Sequence, residues 1–164
     1  MRRAPDHVLA RARVLSLIST VEDAMYMDVI PDMVKQFGLD RWLTAQERTW
    51  FEGQGGDVST EDSYQIEAML VMAWSLGLMP SLGDRDPDAY GSMLCLLQGL
   101  GAGPAEKMVA PRADSELRTM LAELDAVAAR GDGPPPNERF GKETLHWRRA
   151  ALRWILDAER TWPS

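Results

Sequence analysis

From Tyr64 to Met79 the chain reads YQIEAMLVMAWSLGLM, and only Gln65, Glu67 and Ser75 interrupt an otherwise apolar run. On a wheel at about 100° per residue, with only these three interruptions, a helix here is apolar nearly all round. Such a helix needs neighbours on every side. The segment therefore predicts an all-α fold built around a buried central helix over about residues 61–79. Glu67 is the sole charged residue between Ser63 and Gly83. It projects beside Leu70, Val71, Trp74 and Leu78, where an uncompensated carboxylate would lose several kcal/mol of hydration. It must have a partner.

The C-terminal helical segment supplies a candidate. With Leu145 set at zero, Trp147, Ala151, Leu152, Trp154, Ile155, Leu156 and Ala158 share one arc with it. Arg149, Arg153, Arg160, His146 and Asp157 fill the opposite arc. Arg148 falls in the middle of the apolar arc. Two helices thus each carry one displaced charge, of opposite sign, and a buried Glu67–Arg148 ion pair is expected, with the planar guanidinium donating two parallel hydrogen bonds.

The rest of the chain reads as helices separated by Gly- and Pro-rich connectors. Pro5 suits a first turn, and Val8, Leu15, Ile18, Val21 and Met25 predict a helix from about Asp6 to Met27. A short helix begins at Pro31 and stops near Gly38. Thr44 and Glu47 match a capping box, in which each side chain satisfies the other's free backbone N–H, opening a helix that ends by Gly53. Ser59 or Thr60 would cap the central helix, and Asp88 one running through Gln98. Leu117, Met120, Leu121, Leu124 and Val127 share one side of a helix over Asp114 to Arg130. The last, capped by Asn137, runs to about Arg160. These make six to seven helices in one domain over 1–164. GLGAGPAEKMVAPR (99–112) reads as a flexible linker or a lid.

Charge limits function. The chain carries a formal charge of -7, and residues 51–100 hold Glu52, Asp57, Glu61, Asp62, Glu67, Asp84, Asp86 and Asp88 against Arg85 alone. Such a surface repels phosphate backbones, so no nucleic-acid partner is expected. One cysteine, Cys95, cannot form an internal disulfide and reads as a small core residue; a cytoplasmic location is expected. No run reaches the roughly 18 apolar residues of a membrane span, and no membrane partner is expected.

Motifs for chemistry fail on inspection. Asp84, Asp86 and Asp88 have the spacing that begins a calcium loop, but Ala89 and Cys95 stand where Gly and Glu are required. GLGAG lacks the Gly-Lys-Ser/Thr of a phosphate loop. His7 and His146 are not spaced as a helical metal pair. No catalytic residue, cofactor or metal is assigned.

YQIEAMLVMAWSLGLMP resembles the core motif of an uncharacterised bacterial family, domain of unknown function 4272. RWLTAQERTWF upstream and RRAALRWIL near the end are similar to further segments of that family. The resemblance spans about Val8 to Trp162. It implies a bacterial, cytoplasmic, helical protein and carries over no catalytic residue.

The leading functional expectation is a binding protein whose acidic face engages a protein partner of basic character, in one version as an immunity- or antitoxin-like protein. Trp42, Trp50 and Phe51, with Glu52, Asp57, Asp84, Asp86 and Asp88, are the candidate partner surface. Two alternatives remain open. One is a small-ligand site or enzyme pocket where Glu67, Trp74, Arg148 and His146 converge; the other is a homodimer.

Overall fold

The computed structural model describes residues 1–20, 29–52, 65–82, 87–100, 103–130 and 141–163. Among them lie eight α-helices and one 3-10 turn: α1 (Pro5–Ile18), α2 (Ile30–Gln36), the turn Asp40–Trp42, α3 (Ala45–Phe51), α4 (Ile66–Ser75), α5 (Pro87–Leu97), α6 (Ala105–Met108), α7 (Asp114–Arg130) and α8 (Gly141–Leu156). No strand occurs among the described residues. The all-α reading holds, with α6 as the helical turn that the sequence did not announce.

Helix α4 lies at the centre, as its composition demands. Every residue from Glu67 to Ser75 is buried. Helices α1 and α8 pack against it, α7 packs on α8, and α5 on α1. The enclosing helices are amphipathic to a degree that matches their depth. In α8, Ala151, Leu152, Trp154, Ile155 and Leu156 are buried. In the outer helix α7 only Leu117 is, while Met120, Leu121 and Leu124 pack against the rim of the core.

Helix ends are set by local hydrogen bonds that periodicity does not show. Helix α1 stops at Ile18, short of the expected Met27, and just past its end Ser19 Oγ and Thr20 Oγ1 donate to the carbonyls of Ser16 and Leu17 (2.7 and 2.8 Å). Such bonds compete with the helical ladder. The Thr44–Glu47 capping box is present in both directions. The expected helix caps Ser59, Thr60 and Asn137 lie outside the described residues. Helix α5 opens at Pro87, which puts Asp88 inside the first turn and not at the cap.

The central helix ends at Ser75, four residues short of the expected Met79. The Gly77 N–H donates to Trp74 O (2.9 Å) and the Leu78 N–H to Ala73 O (3.0 Å), the paired bonds that close a helix through a left-handed residue. Gly77 has φ +74°, and a Cβ there would lie 2.2 Å from the Ala110 carbonyl oxygen. Only glycine meets both demands. Gly38 and Gly99 close α2 and α5 with the same pair of bonds.

The close approach at Gly77 corrects the reading of residues 99–112 as a flexible linker or a lid. Part of the expected linker docks on the end of α4: Ala110 N–H donates to Leu76 O (2.8 Å) and Arg112 N–H to Ser75 O (3.0 Å). The Arg112 guanidinium adds bonds to the carbonyls of Trp74, Met79 and Pro80 and lies over the Trp74 ring at 4.8 Å. Arg3 and Arg13 repeat the arrangement. Arg3 donates to Trp154 O near the end of α8 and covers the Trp154 ring at 4.1 Å. Arg13 donates to Leu97 O at the end of α5 and covers Phe37 at 4.1 Å. Each places a cation on the negative end of a helix dipole while an aromatic face covers it.

Cys95 is exposed, contrary to the expected core position. Met93, Leu96 and Leu97 are the residues α5 turns inward, and Cys95 falls outside their arc.

Candidate functional site

The Glu67–Arg148 pair is present. Helix α8 crosses α4 with Arg148 facing it, and Arg148 Nε donates to Glu67 Oε2 at 2.9 Å. The two ends differ in environment: the Glu67 side chain is fully buried, whereas that of Arg148 keeps 17% of its surface. The pair is an anchor reaching inward from the rim. Trp74, two turns along α4 from Glu67, is buried and covered by Arg112. His146 is exposed and edge-on to Trp147 (5.4 Å, 87°). Of the four residues expected to line a pocket, Glu67 and Arg148 are thus joined to each other, and His146 lies at the surface.

A second internal pair was missed by sequence reading. Arg11 on α1 donates from Nη1 and Nη2 to Glu47 Oε2 and Oε1 at 2.8 and 2.6 Å. Both side chains are 3% exposed, so this is the deeper and better matched of the two pairs. Glu47 also accepts the Thr44 N–H at 2.8 Å, so one carboxylate closes the capping box and neutralises Arg11. The available signal was the ARARVLSLI run, in which Arg11 and Arg13 interrupt an apolar stretch as Glu67 does in α4.

Arginines continue to pair outward from the core. Arg13 Nη1 donates to Glu106 at 2.6 Å, and that hydrogen bond holds the Glu106 carboxyl below its ordinary range. On the outer side of α8, Arg149 and Arg153 donate to Asp125 Oδ1 of α7 at 2.6 and 2.8 Å. Burial pushes the Asp125 carboxyl up, but the two hydrogen bonds and the charges behind them more than offset it and leave it lowered.

The aromatic part of the expected partner surface is corrected. Trp50 and Phe51 are 7% and 5% exposed and belong to the core, because the capping box starts α3 in a register that turns both inward. Trp42 is half-buried, with His7 against its ring (4.6 Å) and Arg41 over it (5.1 Å). Glu52 is exposed at the end of α3. Asp57, Asp84 and Asp86 lie outside the described residues; Asp88 is in the first turn of α5. Among the described residues no group of three His, Cys, Asp or Glu side chains could hold a metal ion, and no helix is long and apolar enough to cross a membrane.

What the site does chemically is join helices. A carboxylate on α4 meets a guanidinium on α8, and a guanidinium on α1 meets the carboxylate that opens α3. Each ties together elements that are distant in the chain.

Comparison with curated proteins and with solved structures found no match. The family model of the Domain of unknown function (DUF4272) matches residues 1–164, so a chain that builds its core on a nearly uncharged central helix belongs to that family.

Proposed function

We propose that the chain acts as one helical binding unit that engages a protein partner of basic character through the acidic face carried by residues 51–100. The observation that carries this reading is where the charges go. Arg3, Arg11, Arg13, Arg112 and Arg148 point into the molecule, onto helix-end carbonyls or buried carboxylates. Of the eight acids in residues 51–100, Glu67 is paired with the Arg148 guanidinium and Glu52 is exposed. In sequence the seven acids other than Glu67 stand against Arg85 as the one cation of that stretch, a local balance of -6. Guanidiniums directed inward, and an excess of carboxylates in the sequence of residues 51–100, suit the chain to steering a cationic surface.

The closure of Glu67 on Arg148 favours a binding role over a catalytic one, since a fully buried carboxylate joined to a guanidinium is poorly placed to reach a substrate proton. In its most specific form the partner is a basic toxin and the protein its immunity- or antitoxin-like counterpart in the cytoplasm. The test is affinity capture of the tagged protein from its own organism's lysate at low and moderate salt, run beside a Asp57→Asn, Glu61→Gln, Asp62→Asn variant. A partner lost both with salt and in the variant supports the reading. A partner held equally by both proteins, or recovery of the protein alone or with its own copies, refutes it.

A further inference from the structure

Beyond α8 the chain turns back across one end of the molecule. The Ala158 N–H donates to Met1 O (2.8 Å), the Arg160 N–H to Asp157 O (3.2 Å), and the Arg3 guanidinium donates to the Arg160 carbonyl. Past Arg160 the described ring contacts are those of Trp162. Trp162 stacks on Trp147 (centroids 6.1 Å apart, planes at 21°), meets Trp154 edge-on (5.4 Å, 88°), and covers the Arg11 guanidinium with its centroid 4.6 Å from Cζ. Three of the six tryptophans therefore meet above the buried Arg11–Glu47 pair.

Two features make this more than core packing. First, Trp162 is half-buried and sits on a segment without regular secondary structure, so the ring closes the slot from the solvent side. Second, the floor is incompletely satisfied. Arg11 Nη1 and Nη2 are taken by Glu47, but the buried Arg11 Nε–H has no hydrogen-bond partner among the described residues. A ring over the face of a guanidinium attracts its charge but cannot accept from a donor lying in its plane. The slot thus offers aromatic walls, a cationic floor and one spare buried donor. An indole fits the walls and floor, and a peptide carbonyl near it fits the donor.

We propose that the slot bounded by Trp147, Trp154 and Arg11 is a binding site for a tryptophan side chain presented on an extended segment of another polypeptide, kept closed in the free protein by residues 157–163 acting as a displaceable strap. This site uses none of the acids of residues 51–100. The intramolecular occupant itself shows the chemistry the slot accepts. A tether of a few residues supplies an effective concentration on the order of millimolar, so a peptide in trans competes poorly with the intact chain and binds well once the strap ring is removed.

The probe is an acetylated, amidated peptide with the sequence of residues 157–164, titrated by calorimetry into the wild-type protein and into Trp162→Ala. The expected result is binding to the variant at least about tenfold tighter than to wild type. The same peptide with leucine in place of its tryptophan should not bind. Absence of binding to a folded Trp162→Ala protein, equal affinity for both proteins, or equal binding of the leucine peptide overturns the proposal. A second measurement does not depend on that variant being stable. With 5-fluorotryptophan incorporated, the wild-type protein gives a fluorine resonance from Trp162, and peptide at about ten times the millimolar tether concentration should move it to the position of a solvent-exposed indole. A resonance unmoved through that titration refutes the proposal by itself.

Discussion

Removing the two ends of the Glu67–Arg148 pair should have unequal effects, and the inequality follows from exposure. Glu67 is wholly buried whereas Arg148 retains 17% of its side-chain surface. In Arg148→Met the carboxylate stays in the core without that counter-charge, which costs roughly 3 to 5 kcal/mol. In Glu67→Met the guanidinium, on a long stem already reaching the rim, can swing toward water, and the cost falls to about 2 kcal/mol. The double variant replaces the pair with two apolar side chains of similar volume and should return to within about 1 kcal/mol of wild type, because neither charge is left behind. Urea unfolding at neutral pH reads all four proteins. With an m value of about 2 kcal/mol/M, the Arg148→Met midpoint should fall by roughly 1.5 to 2.5 M, and the Glu67→Met midpoint by about half that. Strictly additive losses in the double variant, or an Arg148→Met protein as stable as wild type, would refute a coupled buried pair.

The remaining predictions concern other parts of the framework. Thr44→Ala removes one side of a capping box and should cost about 1 kcal/mol. Glu47→Ala also leaves Arg11 buried without its carboxylate and should cost at least about 2 kcal/mol more; near-equal melting shifts would show that the Arg11 pair contributes little. Gly77→Ala combines a left-handed φ with a Cβ placed 2.2 Å from the Ala110 carbonyl and should lose about 3 kcal/mol or more. Gly91→Ala, inside α5 with nothing within 4 Å of the added carbon, should gain up to about 1 kcal/mol. A calorimetric scan of both variants checks the contrast. Asp125 is depressed in the folded state, so its contribution is present above the ordinary carboxylate range and is lost as pH falls through and below about 4. Its side chain is 39% exposed, which limits the effect to about 1 kcal/mol. Asp125→Asn should therefore destabilise more at pH 7 than at pH 3, as measured by urea midpoints; an equal loss at both would refute the ionic origin.

The difference between what was legible and what was not has a physical basis at each site. The sequence of α4 required burial on every side, and the misplaced charges of α4 and α8 identified each other because each stood alone on an apolar arc. Thr44 and Glu47 were legible because a capping box is local, its parts three residues apart. The Arg11–Glu47 pair was not. Its members stand 36 residues apart, Glu47 already had a local role, and nothing in α1 states which helix its arginines will face. Trp50 and Phe51 were ambiguous for the same reason: a helix of seven residues is too short for its pattern to name the inward side.

By itself the sequence determined that the chain is helical, where its central helix lies, and that a buried carboxylate must meet a guanidinium, since these follow from periodicity and from the cost of burying charge. Only the tertiary structure decided where the helices stop and which partners are distant. It turned residues 109–112 from a linker into a cap on α4, put Cys95 outside, and brought Trp162 over Arg11. The reason is that apolar patterning specifies which face of a helix is buried but carries no address for what covers it; that is fixed when guanidiniums, helix-end carbonyls and rings from separate parts of the chain satisfy one another in space.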